Sequence, residues 1–304
     1  MPGWLVLLAL VAVAAAALLY WLIILTEGVY LGPGAVTALY NRFARRYDAI
    51  KQFDADDEAF FLGRPIARFL AGLSDAQDPD TPHAGPAHEP AAAAPPWLLD
   101  VATGTGRLPL AVWAAAPAAC RMVALDRAEA MLAEARRKLT DQGAEAILLA
   151  HDANRLPFAD GQFAVTTCLE ALEFMPAPDG VLAELVRVTQ PGGLLVLTNR
   201  IGPDARLLPG RTWSREHLAA RLRELGAAGV EIRPWQVDYD LVFALRLGQP
   251  PAGGAADWIA LLRCPRCHAQ PLPAQDEATP TAVCPACGWR LQRQNPPSKP
   301  PLVE

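Results

Sequence analysis

Residues 98–106 read Leu98-Leu-Asp-Val-Ala-Thr-Gly-Thr-Gly106, a short apolar strand that breaks into a glycine turn. Glycines at Gly104 and Gly106 let the backbone turn sharply and let a ligand approach where a side chain would block it. Asp100 stands near the end of the strand, Trp97 to Val101, and a helical pattern from Leu108 to Ala116 follows the turn. On the C-terminal side the alternation continues. Met122 to Leu125 reads as a strand, Ala128 to Leu139 as a helix, Ala146 to Leu149 and Phe163 to Leu169 as strands, and Val181 to Thr189 as a helix. Pro191-Gly192-Gly193 reads as the turn into a strand at Leu194 to Thr198. Ser214 caps a helix that ends at Gly226, and Val230 to Ile232 with Leu241 to Leu245 reads as a closing strand pair. Strands alternating with helices predict an α/β fold: an open, mostly parallel, doubly wound sheet with helices on both faces.

In such a sheet the ligand lies beyond the carboxyl ends of the strands. A Gly-x-Gly turn alone is shared with dinucleotide-binding dehydrogenases and with many structural turns. The dinucleotide fingerprint asks for a third small residue where Pro109 stands. Asp126 ends the second strand, about 20 residues past the turn, where a carboxylate accepts from ribose hydroxyls. Asp152 follows the third strand, placed to accept from an adenine amino group. Alone, either would read as a solvated loop carboxylate. On three consecutive strand ends they describe a nucleoside without a pyrophosphate.

With these residues in view, the 98–106 stretch resembles the first motif of class I S-adenosylmethionine-dependent methyltransferases, a Rossmann-like fold. It is most similar to the subgroup of ubiquinone/menaquinone biosynthesis enzymes, where alanine often replaces the first glycine, as Ala102 does. Leu125 to Leu132 resembles the second motif, Asp152 to Phe163 the adenine-side motif, and Leu185 to Leu195 the turn into the fifth strand. Tyr40-Asn-Arg-Phe-Ala-Arg-Arg-Tyr-Asp48 resembles the segment that covers the cofactor. The resemblance implies S-adenosyl-L-methionine as cofactor, with Gly104 and Gly106 against its methionine part, Asp100 near its ammonium, Asp126 at the ribose and Asp152 at the adenine. Ala102, Thr103, Arg127, Ala153 and Leu169 complete the expected cofactor-binding set. The chain departs from the family at Ala164, where aspartate is frequent, and at Phe174, where histidine is common.

A sulfonium methyl is already activated, so the enzyme must chiefly align the nucleophile and exclude water. A base is needed only where the acceptor must lose a proton. Glu170 and Glu173, after the fourth strand, are the candidates for that role; the alternative for both is a surface carboxylate. Cys168 reads as a small residue in a buried strand rather than a nucleophile. The Asn/Asp-Pro-Pro-aromatic motif of amino-group methyltransferases is absent after that strand.

Toward the N-terminus, Trp4 to Leu25 carries no charge and matches the roughly 20 residues that cross a bilayer. It lacks the basic leader of a cleaved signal peptide. Residues 1–27 are expected to be a single-pass signal anchor, with residues 4–25 in the membrane lipid bilayer. Arg42, Arg45, Arg46 and Lys51 follow the span, which places the N-terminus outside and the catalytic domain in the cytoplasm. Residues 28–74 are read as a helical cover. Within it Val36 to Phe53 forms one amphipathic helix, on the membrane surface or on the domain behind, with Gly32-Pro33-Gly34 as a breaker before it. Residues 75–96, rich in Pro and Ala, read as a disordered insertion, and 97–248 as the cofactor-binding core.

Residues 249–257 read as a linker to a last module, 258–304. There Cys264-Pro-Arg-Cys267 and Cys284-Pro-Ala-Cys287 form two Cys-x2-Cys pairs. Each pair bends two thiolates toward one metal, and four close a structural Zn2+ site. The module resembles small zinc-ribbon proteins that activate RNA and protein methyltransferases. The chain's net charge of −5 argues against a broad nucleic-acid surface. Three functions are expected to compete. They are membrane-anchored methylation of a small-molecule or lipid-like acceptor, methylation of RNA or protein through the ribbon, and a non-catalytic cofactor-binding scaffold.

Overall fold

The computed structural model describes residues 2–76, 94–249, 257–273 and 281–294. The expected insertion at 75–96 and the linker at 249–257 fall largely outside these residues.

Helix α1, Gly3–Tyr20, continues as a π turn, Trp21–Leu25. The 23 residues make a rod ~35 Å long at ~1.5 Å per residue, enough for the ~30 Å hydrocarbon core of a bilayer. No residue of α1 is buried. An apolar helix exposed on every side has no stable place in water.

The expected single helix at 36–53 is instead three pieces: α2 at Pro33–Phe43, a 3-10 turn at Ala44–Arg46, and α3 at Tyr47–Lys51. The tighter 3-10 turn shifts the register, and Gln52 ends the run in the left-handed region at φ 54°. The Gly-Pro-Gly sequence starts this helix: Gly32 is its N-cap and Pro33 its first residue, a position where proline's missing N–H costs nothing. Helix α4, Ala55–Glu58, is capped by Asp54, which accepts from the Asp56 and Asp57 amides. A π turn at Ala59–Gly63 leads to α5, Arg64–Ala76.

The core follows in order: β1 Trp97–Val101, α6 Arg107–Ala115, β2 Arg121–Asp126, α7 Glu129–Asp141, β3 Ile147–Ala150, β4 Phe163–Cys168, α8 Pro178–Val188 and β5 Thr189–Arg200. Then come α9 Gly202–Ala205, α10 Arg215–Glu224, β6 Ala227–Gln236 and β7 Tyr239–Arg246. The sheet order is β3-β2-β1-β4-β5-β7-β6. Strands β1 to β5 pair in parallel, and β7 runs antiparallel to both neighbours. Pro191-Gly192-Gly193 does not precede the fifth strand but lies within it, beside a register shift between Phe163 and Val165. The strand absorbs the extra residues as an irregularity instead of stopping.

The period-2 alternation of the strands sorts the core onto two faces. Leu99, Val101, Val123, Leu125 and Leu195 pack against α8 and α10. Leu98, Met122, Ala124, Leu148 and Val196 pack against α5, α6 and α7. Leu98 and Leu99 are fully buried on opposite faces, and truncating either to Ala would cost ~2–5 kcal/mol.

The last module forms a second sheet of β8 Leu272–Pro273, β9 Thr281–Val283 and β10 Arg290–Gln292. It does not hang free. Trp258, Leu261, Leu262, Trp289 and Leu291 share one core with Ala153, Leu156 and Phe158.

Candidate active site

The switch in strand order between β1 and β4 opens a crevice at the carboxyl ends of the strands, where ligands of open α/β sheets lie. Ala102 sits at φ 57°, Gly104 at 54° and Gly106 at 81°. The turn is thus left-handed three times, once at a residue with a Cβ. A Cβ added at Gly106 would stand 3.1 Å from the Ala135 Cβ, so this glycine serves close packing of α6 on α7. At Gly104 the space is open except for the Tyr47 ring at 3.9 Å.

Asp126 is wired into the turn. One carboxylate oxygen accepts from the Gly104 amide at 2.8 Å, the other from the Ala128 amide at 2.8 Å. Asp100 is 2 % exposed and accepts from the Thr167 hydroxyl at 2.6 Å. Burial lifts its carboxyl to about 6 against that hydrogen bond. Asp152 caps the 3-10 turn Ala153–Arg155, accepting from the Asn154 amide at 2.8 Å, and pairs with Arg127 at 3.0 Å.

These groups line one continuous crevice with two lobes. The larger, with a cavity volume of about 120 Å³, takes in Ala102, Gly104, Asp126, Arg127, His151 and the 152–154 turn. The smaller, about 30 Å³, takes in Asp100, Thr103, Thr105 and Arg107. Ala102, Gly104, Leu169, Glu170 and Tyr47 border both and mark the junction. Of the expected set only Gly106 stands off the crevice. The crevice thus offers open space over Gly104, the carboxylates of Asp100, Asp126 and Asp152, and two lobes that share five lining residues.

The cover completes the walls. Tyr40 and Tyr47 roof the larger lobe, and Phe53 the smaller. Asp48 accepts from Thr105 at 2.5 Å and from Lys138 at 2.7 Å, tying the cover to the turn and to α7. The larger lobe is also lined by Pro33, Val36 and Thr37 of α2 and by Phe174 to Pro176. Val29 packs on Phe174 and Leu208. Glu27 accepts from the Tyr40 hydroxyl at 2.5 Å.

Glu170 and Glu173 are not surface carboxylates; they are 5 % and 2 % exposed. Glu170 accepts from Arg107 at 2.8 Å, lies 3.7 Å from Lys51, and has φ 49°. Strain of this kind at a non-glycine residue clusters at functional sites. Glu173 does not line the crevice. It accepts from the Tyr239 hydroxyl at 2.5 Å, and burial raises its carboxyl.

Arg107 escaped the sequence reading. Its guanidinium bridges Glu170 and Glu58, 3.3 Å away, and stacks 4.1 Å over the Phe53 ring. A signal was present: a cation in the first turn of a helix opposes the helix dipole and so needs partners. The four cysteines of the last module meet as expected, their sulfurs all within 4.8 Å of one another. Thiolates ~2.3 Å from one tetrahedral zinc lie ~3.8 Å apart; the contacts of 3.5 Å between Cys264 and Cys287 and 3.3 Å between Cys267 and Cys284 fit that geometry.

Residues 98–193 match a family model described as a methyltransferase domain. A demethylmenaquinone methyltransferase from Parafrankia sp. (strain EAN1pec) is 34 % identical over 64 % of this chain and 74 % of that protein. A ubiquinone/menaquinone biosynthesis C-methyltransferase, UbiE, from Burkholderia mallei (strain SAVP1) is 39 % identical over 33 % of this chain and 41 % of its own length. Among solved structures, a putative methyltransferase from Bacillus halodurans is 19 % identical, with 60 % of this chain and 99 % of that one covered and a TM-score of 0.43.

Proposed function

The chain belongs to the class I S-adenosylmethionine-dependent methyltransferases, near the ubiquinone/menaquinone biosynthesis enzymes, and from that premise we propose that it methylates a small or lipid-like acceptor at a membrane face. A quinone precursor or a lipid headgroup fits this description. One observation carries the reading: Pro33, Val36 and Thr37, which line the crevice, belong to the helix that begins eight residues after the apolar segment ends at Leu25. In this reading the crevice lies close in sequence to a segment long enough to span a bilayer, and an acceptor whose tail stays in the lipid would reach it without leaving the membrane. By the positive-inside rule the catalytic domain faces the cytoplasm.

Bound S-adenosylmethionine supplies a methyl already activated on a sulfonium. The chain's residues hold and enclose it. Asp126 accepts from the ribose hydroxyls, the 152–154 turn holds the adenine, and Asp100 faces the ammonium. Glu170, paired with Arg107 and Lys51, borders both lobes and would shape the junction between them. Tyr40 and Tyr47 exclude water above it. Glu173, outside the crevice and bonded to Tyr239, takes no part in proton transfer. Cys264, Cys267, Cys284 and Cys287 would hold a structural zinc ion, which has no open position for chemistry. Methylation of RNA through the ribbon is the weaker reading, since the ribbon spends its apolar surface on the core.

Comparing methylated lipids and quinones between wild-type cells and cells lacking this chain tests the proposal. A methylated amphiphile that disappears, with its unmethylated precursor accumulating, supports it. An unchanged lipid profile together with a lost RNA or protein methyl mark overturns it.

A further inference from the structure

The loop at 151–160 is clamped from two sides. From within the core, the Leu156 amide donates to Glu184 at 2.8 Å, and Arg187 donates to the Phe158 carbonyl at 2.8 Å. From the cysteine module, the Ala159 amide donates to the Leu261 carbonyl at 2.9 Å, and the Arg263 amide to the Pro157 carbonyl at 3.0 Å. These pairings end one residue before Cys264, the first candidate metal ligand. The other end of the module donates from the Gln294 amide to the Leu148 carbonyl at 2.8 Å, on the open edge of β3. Trp289, two residues past Cys287, sets its ring edge-on to His151, with centroids 5.9 Å apart and planes at 79°. His151, Asp152, Ala153 and Asn154 all line the crevice.

We propose that the four-cysteine module braces the adenine end of the crevice, so that metal binding at Cys264, Cys267, Cys284 and Cys287 sets the affinity for the cofactor. The inference rests on the reading above, in which residues 151–154 hold the adenine. A module this small has too little core to fold alone and depends on its metal. Without the metal, the strand-like pairing at 261–263 and the Trp289 contact lose their anchor. Residues 151–160 then keep the inner clamp and, at their start, the His151 amide on the Asp126 carbonyl and the Asp152–Arg127 pair, both at 3.0 Å, but lose every hold from the module. Ordering the loop becomes part of the cost of cofactor binding and weakens it. Trp289 is a positioning residue: it touches His151, and the turn that follows touches the ligand. Because coupling is reciprocal, the cofactor must tighten zinc binding by the same factor by which zinc tightens the cofactor.

The test uses the full-length chain in detergent micelles, with S-adenosylhomocysteine binding read by calorimetry and zinc content by elemental analysis. Zinc removal is expected to raise the Kd for S-adenosylhomocysteine about tenfold, within the usual range of coupling between sites, and restoring zinc reverses it. Trp289→Ala, with its zinc retained, raises the Kd severalfold, and Trp289→Phe recovers most of the loss. Amide exchange at 147–160 speeds up in the same samples. If Trp289→Ala sheds its zinc, titrating zinc back reads the coupling directly: affinity that climbs with occupancy supports the brace, and affinity indifferent to it overturns it. Equal affinity with and without zinc, or Trp289→Ala indistinguishable from wild type, also overturns it. Failure of the zinc-loaded wild type to bind S-adenosylhomocysteine would instead overturn the cofactor-site assignment on which the brace depends.

Discussion

At the scale of single residues, the proposed cofactor site rests on two crevice carboxylates, Asp126 and Asp100, held in opposite ways. Asp126 uses its oxygens to hold the Gly104 and Ala128 amides, so its carboxylate both shapes the turn and faces the crevice. Hydrogen bonds to a charged group contribute ~1.5–3 kcal/mol each. Asp126→Ala is therefore expected to weaken S-adenosylhomocysteine binding by one to two orders of magnitude, measured by calorimetry. Asp100 is held at about 6 by burial, above the ~3.9 of an unfolded aspartate. The folded form thus binds more protons between about pH 4 and 6, and stability from this group falls as pH rises through that window. Ligand affinity runs the other way, because only the ionised form attracts an ammonium. About one pH unit below 6, affinity should fall roughly tenfold, and Asp100→Asn should flatten that part of the profile. Glu58, lifted to about 7, titrates nearby, and burial lowers His151; the Asn variant isolates the share of Asp100. An Asn variant with an unchanged profile would remove Asp100 from the ammonium site.

At the scale of elements, the strands, the glycine turn and the paired cysteines were legible because each has a local period or spacing. The cover was legible only as a segment. Its apolar spacing from Val36 to Ile50 suits one helix, yet the 3-10 turn at Ala44–Arg46 resets the register and brings Asp48 onto Thr105 and Lys138. Partners 57 and 90 residues away leave no trace in a local pattern. The same holds for the cluster around Arg107, whose partners Glu58 and Glu170 come from α4 and from the end of β4. Breaking a buried pair by removing one partner costs ~3–5 kcal/mol. Arg107→Met is expected to lower thermal stability in micelles by that order. The loss should be smaller in mild acid than at alkaline pH, because Glu58 then takes a proton. A loss independent of pH would mean that the carboxylates are not what Arg107 supports.

Over the whole molecule, three parts meet around one crevice: the helical segment that follows the apolar helix, the carboxyl ends of the sheet strands, and the cysteine module behind residues 151–154. The sequence order made these look like separate beads. Packing joins them, through Val29 on Phe174 at one end and Trp289 on His151 at the other. The acceptor side was the least legible part, since apolar contacts carry no motif. The most direct measurement incubates the full-length chain with membrane lipids and S-adenosylmethionine labelled in its methyl group. The account predicts label in the organic-extractable lipid fraction, lost with Asp126→Ala. Label confined to RNA or protein, with none entering lipid, would contradict it.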